Sequence, residues 1–150
     1  MRSQYEAANV QANELLYRRV DIEGVVTAHL LAIEKARSLG FGRHVISATS
    51  PFEPRHVAEL RVDAPTVVHR LFPESEALHG ARGWKMFPTI GRVYVNQRAR
   101  SDLNWRPKYD FRHVLECLRQ QRDFRSALAL NIGSKGYHDR TFAEGPYPVN

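Results

Sequence analysis

The stretch SDLNWRPKYDF, Ser101 to Phe111, sets a Trp, a Tyr, a Phe, two cations and a proline within eleven residues. Its punctuation reads as a helix stop followed by a helix start. A helix with Asn96 at its N-cap and Leu103 at its end leaves Asn104 just beyond, where the backbone turns left-handed and Asn, after Gly, is tolerated best. Trp105 then folds back toward Ala99 and supplies the hydrophobic contact of such a stop. Pro107 blocks a restart and biases Arg106 to an extended shape. Asp110 caps the next helix, and Tyr109 just before it packs on Val114 as a hydrophobic staple. Every aromatic and every helix breaker thereby has a structural task. Arg98, Arg100, Arg106 and Lys108 are left without one.

Outward from this joint, apolar periodicity predicts helices near 97–103 and over 111–121, the latter burying Phe111, Val114, Leu115 and Leu118 on one stripe. Upstream, EGVVTAHLLAIEKARSL is a long helix, with Val26, Leu30 and Ile33 on one face and His29, read as a packed histidine, at its edge. Gly40 stops it, with Lys35 and Arg37 near its negative end. APTVVHRLF and SEALHGARGW are shorter helical segments, and Ser50 with Glu53 has the spacing of a capping box. LLYRRV (15–20), RHVISATS (43–50) and GRVYV (91–95) are rich in β-branched and aromatic residues and predict short strands. The order points to an α/β or α+β fold. Residues 1–14 read as an irregular leader, 15–121 as the body, and 122–150 as a helix and a Gly/Pro-rich tail.

The chain has 150 residues, enough for one domain with a core. No apolar run reaches membrane-spanning length and the N-terminus has no apolar signal segment, so no membrane partner and a cytoplasmic address are expected. A single cysteine, Cys117, excludes an internal disulfide framework. The net charge is +6. Its arginines are scattered from Arg2 to Arg140 with no basic block, which argues against a nucleic-acid partner. The seven histidines form no His-x-x-x-His pair, so no metal site is expected. Cys117 has no obvious activating neighbour, and His138 stands alone in the tail.

RARSDLNWRPKYDFRHVLECL, RRVDIEGVVTAHLLAIEKA and RHVISATSPFEPRHVAEL, in this order and spacing, resemble the C-terminal, substrate-binding part of extended short-chain dehydrogenase/reductases. These are the NAD-dependent epimerase/dehydratase family, which acts mainly on nucleotide-sugars. The likeness covers about residues 15 to 121, and the tail KGYH…F…GPYPV resembles that of a bacterial subgroup. It implies the C-terminal portion of a Rossmann-type fold, several helices with a few short strands. The family's Gly-x-x-Gly-x-x-Gly turn, which approaches a dinucleotide's pyrophosphate, is absent. GFGR at Gly40–Arg43 is a helix stop. No tyrosine is followed four residues on by lysine, so the family's catalytic Tyr-x-x-x-Lys pair is absent too.

The expectation is therefore a chain that lacks the nucleotide-binding half, binds neither NAD nor NADP tightly alone, and turns nothing over alone. The alternative is a stand-alone ligand- or partner-binding module. A homodimer is one assembly open to either. Where family members often carry Val-Asp-Asp, this chain has Ile22-Glu23-Gly24, leaving Asp21 to cap the helix. The resemblance implies that arginines hold the substrate diphosphate. The candidates are Arg18 and Arg19, which strand alternation would place on opposite faces, and Arg82 and Arg92, flanking GWKMFPTIGR. Phe52, where a loop leaves a predicted strand, is the candidate that could face a nucleotide.

Overall fold

The computed structural model describes residues 5–133, so the predicted tail motif and His138 lie outside the described residues. The chain begins helically where an irregular leader was expected: α1 spans Ala7–Glu14. Asn13 is fully buried in it. Its amide donates to the Lys85 carbonyl at 3.0 Å and its carbonyl accepts from the Phe87 N–H at 3.0 Å. One side chain thus satisfies two main-chain groups of the 84–90 loop, which has no ladder of its own.

Helix α2, Ile22–Leu39, follows. Asp21 caps it as expected, accepting from the Glu23 N–H at 2.9 Å, and Gly40 ends it with φ of 61°. The remaining helices are α3 (Val57–Leu60, entered through a 3-10 turn at Pro54–His56), α4 (Ala64–Leu71), α5 (Ser75–Gly80), α6 (Gln97–Leu103), α7 (Phe111–Arg119) and α8 (Ala127–Ile132). Before α3 the capping box is built by Glu53 with His56, while Ser50 accepts from the Phe52 N–H.

The main core joins α1, α4, α5 and α7 through Leu16, Val67, Val68, Phe72, Phe111 and Leu115. A smaller cluster joins α2 to α6 around Ala28, Ala99, Leu103 and Trp105. The joint between α6 and α7 forms as the sequence dictates. Asn104 takes the left-handed conformation (φ 53°, ψ 30°), Trp105 is 1% exposed beside Ala99, and Asp110 accepts from the His113 N–H at 3.0 Å. Asn96 holds the N-cap position of α6, but its amide serves the 43–50 segment, donating to the Ser47 carbonyl at 2.8 Å. Tyr109 is tied differently from a staple: its hydroxyl donates to Glu23 at 3.0 Å and its ring stands edge-on to His113.

Two expectations are corrected. The domain is helix-rich, and no strand forms among the described residues. Leu15 to Arg18 continues the winding of α1, because the Glu14 carbonyl accepts from the Tyr17, Arg18 and Arg19 N–H groups. The segments 43–50 and 91–95 are extended, yet each makes one main-chain bond to this turn, Ala48 N–H to the Arg19 carbonyl and Tyr94 N–H to the Tyr17 carbonyl, both 2.7 Å. Single bonds do not make a ladder.

The second correction concerns α2. Val26, Leu30 and Ile33 are 42%, 56% and 73% exposed, and His29 is exposed with them, its ring bonded to the Val25 carbonyl. The packed face instead carries Gly24 and Ala28, about 180° around the helix from Val26 and Ile33 at 100° per residue. Close approach decides this. A Cβ at Gly24 would stand 3.6 Å from the Trp105 ring and 3.0 Å from Val20. The small residues let the indole lie against the helix, where its N–H donates to Thr27 at 3.2 Å.

Candidate functional site

Arg18 and Arg19 do not diverge. Because their segment is a helical turn, both guanidiniums reach back to Glu14, Arg18 one turn on and Arg19 at 2.9 Å. Burial alone would raise the Glu14 carboxyl, but the two arginines outweigh it and hold it below the usual glutamate range. Arg19 also edges a cavity of about 490 Å³ with Asp21, Ile22, Phe124 and Arg125. There Asp21 makes a second bond, accepting from the Ser126 N–H at 3.0 Å and tying α8 to the start of α2. Arg82 lies over the Trp84 ring, 5.7 Å from its centroid. Arg92 is exposed and pairs with no acid among the described residues. Phe52 is buried in the main core, edge-on to His56. The five candidates do not share one cavity.

Phe52 does border a cleft of about 440 Å³ between the end of the 43–50 segment and the start of α6. Thr49, Ser50, Tyr94, Gln97, Arg100 and Arg106 line it, and no acidic side chain does. Several arginines face carboxylates: Arg55 with Glu53, Arg70 with Glu59, Arg98 with Asp102, Arg119 with Glu116 and Arg125 with Asp123. Arg100 and Arg106 have no carboxylate among the described residues. Arg106 is positioned by neutral acceptors only, donating to the Arg100 and Trp105 carbonyls, each at 3.0 Å. The two guanidiniums, the hydroxyls of Thr49 and Ser50, and the Gln97 amide make a donor-rich wall that can receive phosphoryl oxygens. Tyr94 offers an aromatic face beside it.

Cys117 has a neighbour that the sequence reading did not credit. His113, one turn earlier, places Nε2 3.3 Å from the thiol, and the same nitrogen lies 3.1 Å from the Phe124 carbonyl. The i, i+4 spacing was the signal. Burial pushes the thiol up, so the pair is a packed contact rather than an activated nucleophile. No group of three metal-ligating side chains gathers among the described residues.

The Gly-x-x-Gly-x-x-Gly turn that the resemblance implies for NAD or NADP is absent from the sequence. The glycines with positive φ, Gly40, Gly83 and Gly133, have open space around a built Cβ. No helix among the described residues is long and apolar enough to cross a membrane. Comparison with known proteins found no matching family model, no matching curated protein and no matching solved structure.

Proposed function

We propose that this chain is the substrate-binding, C-terminal portion of an NAD(P)-dependent epimerase/dehydratase-like protein acting on a nucleotide-sugar, and that the cleft beside Phe52 receives the substrate's phosphates. The carrying observation is the pair of arginines, Arg100 and Arg106, that line a concave site free of acids. Bidentate guanidinium contacts suit a diphosphate, and Tyr94 can stack on a base or sugar face. The bare apolar stripe of α2 supports a place in a larger α/β assembly, since such a stripe is ordinarily covered. This chain's part is binding and orientation. The dinucleotide, bound elsewhere in a full-length relative, supplies the hydride chemistry.

A stand-alone binding module is the second reading, favoured by a core that closes within residues 5–133. Titration of UDP-glucose and of pyrophosphate into the chain tests the cleft. Saturable, salt-sensitive binding should weaken about tenfold in Arg100→Gln or Arg106→Gln. Wild-type binding in both variants, or catalytic turnover of NAD with nucleotide-sugar by this chain alone, sinks the proposal. An in-frame Gly-x-x-Gly-x-x-Gly and Tyr-x-x-x-Lys in the coding sequence upstream of Met1 would decide between the two readings.

A further inference from the structure

Asn96 stands where the cleft beside Phe52 meets the start of α6, and it is only 4% exposed. Its amide nitrogen donates to the Ser47 carbonyl at 2.8 Å and to the Thr49 hydroxyl at 3.2 Å. A main-chain carbonyl only accepts, which settles that the nitrogen end of the amide faces the 43–50 segment. The carbonyl oxygen, Oδ1, therefore lies on the other side. It caps nothing, although Asn96 holds the N-cap position. It makes no hydrogen bond among the described residues, yet it is not sealed from the surface as the Ser47 hydroxyl is.

The hydroxyls beside it are set the opposite way. Thr49 receives the Asn96 N–H, and Ser50 receives the Phe52 N–H at 3.3 Å. Each keeps its own O–H to give. With the Arg100 and Arg106 guanidiniums they form a wall of donors, and among them stands one acceptor on a buried side chain, the Asn96 oxygen. A phosphate ester without hydroxyls answers the donors and leaves that oxygen unpaired. An ester whose carrier brings a hydroxyl beside the phosphoryl group answers both. Because two hydrogen bonds hold the Asn96 amide in place, its oxygen cannot turn away from a ligand that fails to pair it.

We infer that Asn96 is a specificity-determining residue of this cleft, and that the ligand class it selects is a sugar phosphate, one sugar hydroxyl donating to Asn96 Oδ1 while the phosphoryl oxygens take the donors. This rests on the reading that the cleft receives phosphates, and adds to it what the phosphate must be attached to. A nucleotide-sugar offers that chemistry twice, at its glycosyl end and at its ribose end.

The test is an NMR titration of the full chain with glucose 1-phosphate, ribose 5-phosphate and cyclohexyl phosphate, the last a ring without hydroxyls. The glucose and ribose esters separate the two ends of the substrate. The reporter is the Asn96 side-chain amide, whose N–H groups are held by Ser47 and Thr49. At least one sugar phosphate should bind about fivefold or more tighter than cyclohexyl phosphate. It should also shift the Asn96 amide, which cyclohexyl phosphate leaves still. Asn96→Ala should bring the ratio of the two affinities toward one. A residue that only braces the wall would weaken every ester alike and leave the ratio standing, and that result overturns the inference. If Asn96→Ala fails to fold, the wild-type ratio and the amide shift decide the matter. Esters that bind, weaken in Arg100→Gln and show no preference for hydroxyls overturn this inference alone and leave the phosphate reading intact. No saturable binding of any ester overturns both.

Discussion

Asp21 makes two bonds that a single substitution removes together. One oxygen caps α2 at the Glu23 N–H, 2.9 Å away, and the other holds the Ser126 N–H at the start of α8, 3.0 Å away. Loss of an N-cap acid costs about 1 kcal/mol. The bond to Ser126 is charge-assisted and half-buried, and its loss adds about 1 kcal/mol. Asp21→Ala should therefore lose about 2 kcal/mol, which for a domain of this size lowers Tm by roughly 6–8 °C. Asp21→Asn separates the terms. Its carbonyl can keep the cap, but its amide then faces the Ser126 N–H, donor against donor. It should fall midway, at about 1 kcal/mol. Thermal melts followed by circular dichroism measure both variants. Hydrogen exchange at the α8 amides should quicken in each, because each frees the start of that helix. The reasoning fails if Asp21→Ala melts with the wild type, or if Asp21→Asn protects α8 as the wild type does.

Two further tests bear on the packing. Leu30→Gln and Ile33→Gln should each change stability by less than about 0.5 kcal/mol, whereas Ala28→Leu should cost about 2 kcal/mol by overpacking the Trp105 cluster; urea melts that rank them the other way would mean that α2 packs by its Val26 stripe. Glu14→Gln should be less stable than wild type at neutral pH, and the gap should close on acidification. The folded carboxyl titrates below its ordinary value of 4.5, so its contribution is complete above that pH and vanishes as pH falls through the lowered value; a gap unchanged between neutral pH and strong acid would exclude the Arg18–Glu14–Arg19 clamp as its source.

The joint at Ser101–Phe111 was legible because its signals are local. A left-handed Asn, a proline and a capping Asp each act within a few residues, and tertiary context had no reason to override them. The cap at Asp21 and the stop at Gly40 were legible for the same reason. The strands were not. LLYRRV has strand-like composition, but Glu14 is followed by two consecutive leucines that both bury, and continuing the turn of α1 buries them while letting one carbonyl accept from three N–H groups. β-propensity records fit to a pleated surface, and no such surface forms among the described residues. The face of α2 was misjudged for a related reason. Periodicity marks where apolar side chains lie, whereas the packed side was chosen by the absence of side chains at Gly24 and Ala28, which admits Trp105.

The cleft beside Phe52 and the buried His79 differ in how much of them a sequence can carry. The structural reading of the joint left four cations over, and the fold divides them. Arg98 goes to Asp102 and Lys108 to Glu23, while Arg100 and Arg106 line the cleft beside Phe52. Subtraction left Arg100 and Arg106 unassigned, but the arginines taken as candidates from the sequence were Arg18, Arg19, Arg82 and Arg92. Thr49 and Ser50 lie more than forty residues from Tyr94 along the chain, and only the return of the 91–95 segment to the end of α1 brings them together. His79 had no such residue of unexplained signal. In SEALHG a histidine near a helix end is ordinary, and favourable for the dipole. What sets it apart is the aromatic pair Trp84 and Phe111 that closes around it from two other elements and removes the water that would otherwise bond its nitrogens. A histidine shut away from water in this way is a product of the packing of several elements rather than of any one stretch of the chain.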